Sequence, residues 1–568
     1  TGTAGTTGTA GASGTAGTDG GTDAGSAGAG TAGATATDGG TNSDAPETTD
    51  VAPTVTPNAS VTQGQSGVVI TFTKAAGGLS NASIVSFGVI DKSKAAVQTT
   101  STDTSLVIRV SIPHGIALGP QTLVVSTKGG VITATNVITI TAITASPAGT
   151  DSNAGSAASP FRSLKQAILV ADVGDTIHLV DGTYSAASVA MGGSAETWGY
   201  TVPNNLTITG DTAAGCILDG AGGPSGADAF DAPAMFTVSN MTVQHFRYGV
   251  YVNQPTSTVT MQHFVINSTS SYGLYIDTAA VGSTISLTGT DSVINEPSTV
   301  SAIYVNGNQN SSNAKITINI TDATIEAGYY AVYIYYTSGT AFNMTRGALK
   351  ELNTYEVFYI NQNNNVIGNT VSFTNTAITG TLDMADKTAT LTMMGGSITE
   401  KSGSVLNLNA GSAFNLTGTT VTMTDTSNAI NLSAANAAMT LTGVTVNGGG
   451  ACINQTGAGS TAKLRTTELL SPQYYAYYMS AGSLDLGTAA DPGNDGLGLP
   501  ISTSYYTLTV QNSTGSTVTS SSTTYGDHLD ASNAVIRGVA PSAGVVAGAA
   551  TRAPQIYNIS AGSMISFF

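Results

Sequence analysis

Short segments in which apolar and polar residues alternate recur along most of this chain, and their spacing is regular in its middle part. Eight of them end at positions separated by 24, 29, 29, 26, 24, 24 and 24 residues. Alternation at this repeat length predicts one coil of a parallel β-helix per repeat. The segments are GVYV (249–252), GLYI (273–276), AIYV (302–305), AVYI (331–334), VFYI (357–360), TLDM (381–384), VLNL (405–408) and AINL (429–432).

A second family of alternating segments runs in step with the first. Two strands per repeat and hardly any helical pattern exclude ankyrin and leucine-rich arrays. The second family comprises STVTM (257–261), STISL (283–287), KITINI (315–320), AFNMT (341–345), VSFTN (371–375), TLTMM (390–394), AFNLT (413–417) and MTLTG (439–443).

Changes in this pattern divide the chain into four predicted parts. The predicted class is all-β, a right-handed parallel β-helix (solenoid) preceded by a small immunoglobulin-like β-sandwich and a low-complexity tail. The expected parts are a Gly/Thr/Ala tail over 1–50, the sandwich over 51–145, the β-helix with an N-terminal helical cap over 146–499, and a C-terminal capping region over 500–568.

The tail has no aromatic, basic or branched aliphatic residue, so it cannot bury a core of its own. One interpretation is a flexible stalk that holds the folded part away from a cell surface. The other is a glycine helix that packs against copies of itself, because glycine falls on every third position from Gly2 to Gly20. The sequence leaves both interpretations open.

Two segments carry resemblances to known families. Residues 119–130, GPQTLVVSTKGG, resemble the TIG-type immunoglobulin-like modules of bacterial surface proteins, which usually act as spacers. Residues 149–184 place Leu164, Ala167 and Ile168 at helical spacing behind a proline. This segment resembles the opening of a domain family of unknown function that begins right-handed parallel β-helix proteins of pectate-lyase-like architecture. The resemblance continues at 196–220 and 484–494, and it implies that the helix caps the open end of the coil.

Charge and cysteine content narrow the function classes. Only 9% of the 568 residues are charged and the net charge is −17, which argues against a nucleic-acid partner or an anionic membrane. No run of about 18 apolar residues predicts a membrane span. Cys216 and Cys452 lie about ten coils apart, so we expect two buried free thiols. The chain begins at Thr1 without methionine, which suggests an exported protein with a processed N-terminal segment.

The strongest candidate site is a row of tyrosines. In each YV or YI segment the flanking apolar residues face the bore, so the tyrosine faces outward, and successive coils stack these rings about 4.8 Å apart. Three interpretations remain open: stacking that stiffens the sheet, a contact with a partner or a second copy, and a glycan-binding platform. The row is Tyr251, Tyr275, Tyr304, Tyr333 and Tyr359, with Tyr248, Tyr272, Tyr329, Tyr330 and Tyr335 nearby.

A second polar row follows the same strands. These short side chains are expected to support the turns of the solenoid by left-handed conformations and by hydrogen bonds between coils. The row is Asn253, Asp277, Asn306, Asn361 and Asn409.

An enzyme is the main alternative, because pectate lyases and polygalacturonases share this architecture. Such sites need clustered carboxylates, with Ca²⁺ and a basic residue for a lyase. The best local candidates are Arg346, Lys350, Glu351 and Glu356, for which a solvated loop is the competing interpretation.

Two further groups of residues are candidate metal sites. Asp219, Asp228 and Asp231 form a loose acidic group that could take Ca²⁺, although a glycine-rich turn explains them as well. His245 and His263 stand 18 residues apart, which does not match the repeat, so their imidazoles need not be neighbours.

The sequence therefore predicts a non-enzymatic extracellular surface protein, structural or adhesive. We expect it to assemble with copies of itself as a homo-oligomer or filament, through its tail, its ends and the tyrosine face. No cofactor is expected. The alternative is a polysaccharide-binding or polysaccharide-cleaving β-helix protein, and surface glycans are possible partners.

Overall fold

A computed structural model describes most of the chain after residue 52. The chain divides into two units, Thr1–Val51 and Ala52–Phe568, and the expectations for the tail lie outside the described residues. The described residues are 53–56, 59–307, 315–353, 356–361, 368–385, 388–400, 402–408, 411–498, 500–501, 505, 507–511, 517–529, 535–536, 555–557 and 564–567.

Two four-stranded sheets form the expected sandwich after the tail. Their inward residues alternate along each strand and share one apolar core, which includes Ile70, Phe72 and Leu123. The first sheet has the order Thr54–Thr56, Val68–Thr73, Ser105–Val110, Ala95–Val97, and the second has the order Ala59–Thr62, Gly130–Thr141, Gly119–Thr127, Ser83–Phe87; a 3₁₀ turn spans Lys92–Lys94.

The predicted helix is present at Leu164–Val170. Ser163 caps it by accepting a hydrogen bond from the backbone N–H of Gln166 at 3.0 Å. The carboxylate of Glu196 accepts from the N–H groups of Leu164 and Lys165, so two more free donors of the first turn are satisfied. Leu164, Ala167 and Ile168 are buried on the face that joins the core of the coil.

A parallel β-helix follows, with strands of successive coils paired in register. Two of its faces form one continuous ladder, which is parallel except where Val535–Ile536 pairs antiparallel with Thr524–Leu529. Its strands are Ile143–Ala145, Thr176–Leu179, Gly182–Ser185, Leu206–Gly210, Cys216–Asp219, Met235–Gln244, Thr258–Asn267, Thr284–Thr288, Val293–Glu296, Thr317–Ala327, Ala341–Glu351, Thr370–Thr379, Thr390–Met394, Ser397–Glu400, Ala413–Thr417, Thr420–Met423, Ala438–Thr442, Thr445–Gly448, Thr461–Arg465, Glu468–Leu470, Ser483–Leu486, Gly496–Gly498, Thr517–Ser520, Thr524–Leu529, Val535–Ile536 and Met564–Phe567, with a 3₁₀ turn at Val189–Met191.

The third face is a separate 13-stranded sheet, which we name the tyrosine sheet. Tyr251, Tyr275, Tyr304 and Tyr333 are directly opposite one another on successive strands. The strands are Phe230–Ala232, Tyr248–Val252, Tyr272–Ile276, Ser301–Asn306, Val332–Tyr335, Phe358–Asn361, Leu382–Met384, Leu406–Leu408, Ile430–Leu432, Ala451–Gln455, Tyr475–Met479, Leu508–Gln511 and Gln555–Tyr557.

Each regular coil has three strands, whereas the sequence pattern indicated two. The second and third strands meet at a corner in which a single residue takes the left-handed conformation. Where the ladder runs through the corner, both strands fall within one of the ranges above, as at His263 (φ 48°), Arg346 (φ 49°) and Asn375 (φ 51°). Because one residue makes the whole turn, no run of turn residues separates the strands, so the sequence pattern does not distinguish the third strand.

Apolar side chains fill the bore of the coil. Phe342, Phe358 and Phe373 pack edge to face, with ring centroids 5.1 to 6.0 Å apart. Cys216 and Cys452 are both buried and free, as predicted. No helix in the described part of the chain is long and apolar enough to cross a membrane.

Parallel pairing continues past the expected boundary between residues 499 and 500. Leu508–Gln511 pairs with Tyr475–Met479, and Thr517–Ser520 pairs with Ser483–Leu486. The segment predicted as a cap therefore contains further strands of the coil.

Candidate functional site

The five predicted tyrosines form one continuous row on the outside of the tyrosine sheet, in which three neighbouring pairs are stacked and Tyr304 meets Tyr333 edge to face at 66°. Neighbouring ring centroids lie 5.3, 5.6, 5.1 and 5.3 Å apart along the row. All five side chains are partly exposed, while the apolar residues beside them are buried. The outward direction and the close spacing expected for Tyr251, Tyr275, Tyr304, Tyr333 and Tyr359 are therefore present in the structure.

A second row of tyrosines packs against the first. Tyr272 stacks on Tyr304 at 4.4 Å with an interplanar angle of 8°, and Tyr248 approaches Tyr275 at 4.6 Å. Tyr330 stacks on Tyr359 at 5.2 Å. The rings consequently form a double layer of aromatic side chains.

The ring orientation determines what this surface presents to solvent. Tyr251 and Tyr275 are nearly parallel, at 9°, and Tyr333 and Tyr359 are at 25°. Stacked rings use their faces to contact each other, so the surface presents ring edges and hydroxyl groups. A sugar ring stacks on a free aromatic face, and here neighbouring tyrosines occupy most of those faces.

The polar row expected in the turns holds the tyrosine hydroxyls in place. The Nδ2 groups of Asn306 and Asn361 donate hydrogen bonds to the hydroxyls of Tyr275 and Tyr333, at 2.9 and 2.8 Å. Each bond reaches from one coil to the previous coil. Asn409, the last member of this row, lies outside the described residues.

Tyr251 differs from the other tyrosines in its hydrogen bond. Its hydroxyl donates to the Asp277 carboxylate at 2.5 Å, and so Asp277 has the same bridging role with the opposite polarity. Burial, followed by this hydrogen bond and the charge of Asp277, raises the pKa of Tyr251 well above its usual value. Burial also raises the pKa of Tyr333, to about 12.

The row of tyrosines ends at a carboxyl group on each side. Asp231 is opposite Tyr251, and Asp383 is opposite Tyr359. Burial and the nearby charge of Glu356 raise the pKa of Asp383 to about 6. The row thus has a carboxyl group at each end and a third, Asp277, beside Tyr251.

The candidate catalytic residues lie in different surroundings. Arg346, Lys350 and Glu351 lie within Ala341–Glu351, so the loop expected for them is wrong, although the side chains of Arg346 and Lys350 are exposed to solvent. Arg346 makes a two-pronged ion pair with Asp322, at 2.7 and 2.9 Å, and Lys350 pairs with Glu326 at 3.6 Å. These cations are engaged in contacts between coils.

Register brings together carboxyl groups that the sequence keeps apart. Glu351 is partly buried, and its burial together with the charges of Glu400 and Glu356 raises its pKa to about 8. Glu296 is fully buried, and burial raises its pKa to about 7. The sequence pattern did not identify the burial of Glu296 or the closeness of Glu400 to Glu351, because only the coil register shows which residues are neighbours.

The residues of the two candidate metal sites form hydrogen bonds with other protein side chains. Asp219 contacts His245 at 2.8 Å, and Asp228 binds Arg247 through two hydrogen bonds of 2.9 and 2.6 Å. His263 instead contacts Asp291 at 2.5 Å, so the two histidines have separate partners. Within the described ranges, no group of three or more His, Cys, Asp or Glu residues has an arrangement suited to a metal ion.

We expect Arg346→Gly to change the free energy of unfolding by less than about 1 kcal/mol, because an exposed ion pair contributes little and glycine suits a left-handed corner. Arg346→Val should cost about 1–2 kcal/mol more, since a β-branched residue fits a positive φ poorly. Urea unfolding measures both. Asn375→Gly and Asn375→Val, at the next corner (φ 51°), should show the same order; equal losses for glycine and valine would contradict a corner role.

Comparison with known proteins adds one finding about the family. No curated protein matches this chain. A family model described as a protein of unknown function, DUF1565, matches residues 147–390. The match begins just before the capping helix and covers the coils that carry the tyrosine row, so this region is similar to the DUF1565 family.

Proposed function

We propose that this chain is a non-enzymatic surface protein, structural or adhesive, and that the exposed tyrosine row, from Tyr251 to Tyr359, is a contact surface for protein partners, including copies of itself. The observation that carries the proposal is the stacked double layer of tyrosines, which turns ring edges and hydroxyls outward. Tyrosine is enriched at protein interfaces because one side chain supplies both apolar area and a hydrogen-bonding group. Tyr304 and Tyr333, in the middle of the row, have other tyrosines and an asparagine as neighbours, which limits the desolvation cost at such an interface.

The size of this strip of tyrosines bears on the kind of contact. Five coils at about 4.8 Å and a strand of about 17 Å give an area of roughly 400 Å². A stable interface buries about 800 Å² on each partner. A single tyrosine strip therefore supports a weak contact, and strong attachment needs several chains acting together. An adhesive layer or a filament supplies that multiplicity.

Location and assembly belong to the same proposal. An extracellular, bacterial-type surface protein agrees with the low charge, the sandwich module that resembles a spacer, and the glycine-rich tail. The ends of a β-helix expose unpaired strand edges unless they are covered. End-to-end contacts and the tyrosine strip would together build a filament or oligomer.

Replacing Tyr275, Tyr304 and Tyr333 together by serine tests the contact surface. We expect wild-type protein to form oligomers or fibres, measured by sedimentation velocity and negative-stain microscopy, and the triple variant to lose them while circular dichroism stays unchanged. A matched control replaces Tyr474, Tyr475 and Tyr505, a tyrosine cluster elsewhere in the chain. Assembly that survives the first triple change, or wild-type protein that stays monomeric, would contradict the proposal.

The second candidate is a polysaccharide-cleaving β-helix, and one observation favours it. With a pKa of about 8, Glu351 is protonated at neutral pH and could act as a general acid. The test is incubation with uronate and neutral glycans, with and without Ca²⁺. Cleavage that Glu351→Gln abolishes and Glu326→Gln preserves would establish the enzyme and overturn the non-enzymatic proposal.

A further inference from the structure

The tyrosine row forms an unbroken path of aromatic rings. From Tyr359 to Tyr251 each step between ring centroids is 5.1 to 5.6 Å, and Tyr272 provides a 4.4 Å contact beside the path. Rings at such distances exchange an electron readily once one of them has been oxidised. When any exposed tyrosine of the row has lost an electron, its ring can take one from its neighbour, so the radical can move along the row.

Proton release determines at which tyrosine the radical remains. A phenol that loses an electron at neutral pH must also release its proton, and a hydrogen-bonded base makes this easier. Tyr251 donates its hydrogen bond to the Asp277 carboxylate. Tyr275 and Tyr333 instead accept hydrogen bonds from asparagine amides, which offer no base to their hydroxyl protons.

The neighbouring side chains strengthen this asymmetry. The Arg247 guanidinium lies 4.4 Å from the centre of the Tyr248 ring. A positive charge over the ring disfavours removal of an electron from Tyr248, which also contacts Tyr251 at 5.5 Å. At this end of the path, oxidation of Tyr251 is therefore favoured over oxidation of Tyr248.

We propose that the tyrosine row is a site of oxidative modification, in which one-electron oxidation anywhere along the row is collected at Tyr251, with Asp277 as the proton acceptor. The co-reactant is an external haem peroxidase with hydrogen peroxide. Each of two tyrosines gives up one electron and its hydroxyl proton, and peroxide takes up two electrons and two protons to form two water molecules.

The two phenoxyl radicals then join through the ring carbons ortho to their phenoxyl oxygens. Each coupled ring moves the hydrogen from that carbon to its oxygen, so both hydroxyls are restored and dityrosine results. Tyr251 stacks face to face on Tyr275 at 9°, so the coupling carbons of these two rings do not face each other, and we expect the new carbon–carbon bond between Tyr251 rings of different chains. This covalent step rests on the proposed contact surface, whereas collection at Tyr251 does not.

The test oxidises dilute full-length chain with lactoperoxidase and hydrogen peroxide in the presence of 2-methyl-2-nitrosopropane, a nitroso radical trap. Mass spectrometry of peptides then locates the adducts. We expect Tyr251 to carry the largest share among the row, and Asp277→Asn to lower that share several-fold. Asn306→Asp gives Tyr275 a carboxylate neighbour and should move adducts to Tyr275.

An adduct distribution that follows exposure and ignores both substitutions would overturn collection at Tyr251. Circular dichroism of each variant checks that folding is kept. Inter-chain dityrosine is measured separately at high protein concentration by its fluorescence. If dityrosine fails to form while the Tyr251 adduct persists, the contact surface fails and the collection site stands.

Discussion

Gly396→Ala is expected to destabilise the β-helix by about 3 kcal/mol, from a left-handed strain of about 1–2 kcal/mol and an overlap that costs a similar amount. Gly396 has φ 76°, and a Cβ built there would lie 2.2 Å from the carbonyl oxygen of Thr376 and 2.7 Å from its nitrogen. These atoms belong to the backbone of the previous coil, which is held by the parallel ladder. The neighbour therefore cannot move aside without breaking hydrogen bonds.

Gly418→Ala is the matched control for this substitution. Gly418 also has a positive φ, 61°, but a Cβ there would meet nothing within 4 Å. Its expected cost is only the left-handed strain of about 1–2 kcal/mol. Urea unfolding of both variants separates the two contributions, and equal losses would show that adjacent coils can shift apart at Gly396.

The repeating coil could be predicted because its signal is periodic and local. Alternating residues identify strands, and the spacing of 24 to 29 residues between them identifies a coil. Once the coil is known, register follows, and it places Tyr251 opposite Tyr275 and Tyr275 opposite Tyr304. The tyrosine row was within reach of the sequence for this reason.

The corners could not be predicted, because a single left-handed residue carries almost no sequence signal. Asparagine and glycine are common in that conformation, but His263 and Arg346 also adopt it here. These two residue types have catalytic potential, but here they occupy positions at which the backbone turns. Their side chains point outward and pair with acids of neighbouring coils.

The contacts between these polar side chains and the tyrosine hydroxyls were also beyond the sequence. Asp277 and Asn306 follow equivalent strands, yet one accepts from a tyrosine hydroxyl and the other donates to one. Both side chains reach the preceding coil, and the difference lies in residue type, because a carboxylate only accepts hydrogen bonds whereas the amide group of asparagine can donate one. The candidate site therefore had the right tyrosines, while the chemistry that distinguishes Tyr251 emerged only from the structure.

Glu296→Gln is expected to stabilise the protein at pH 8 and to change little near pH 4. Glu296 is fully buried, one carboxyl oxygen accepts the backbone N–H of Thr269 at 2.7 Å, and Oε1 has no hydrogen-bond partner among the described residues. Burial raises its pKa to about 7, from 4.5 for an ordinary glutamate. The neutral amide of glutamine is close to the protonated carboxyl in size and shape.

The direction of the pH effect follows from proton binding. Between pH 4.5 and about 7 the folded state holds the Glu296 proton while the unfolded state loses it. Stability is therefore fully present below pH 4.5 and falls as pH rises through 7, by an amount on the order of 3 kcal/mol. The glutamine variant lacks this loss, so its advantage over wild type should grow across that interval.

Urea unfolding at several pH values measures the effect, with Glu326→Gln as the control. Glu326 lies on the outer face and contacts Lys350 at 3.6 Å, so its replacement should shift stability by less than about 1 kcal/mol at every pH. Glu351 also has a raised pKa, of about 8, and keeps some pH dependence in both variants. If wild type and Glu296→Gln give parallel curves, Glu296 is ionised in the folded protein, and Oε1 must then have a partner that compensates its charge.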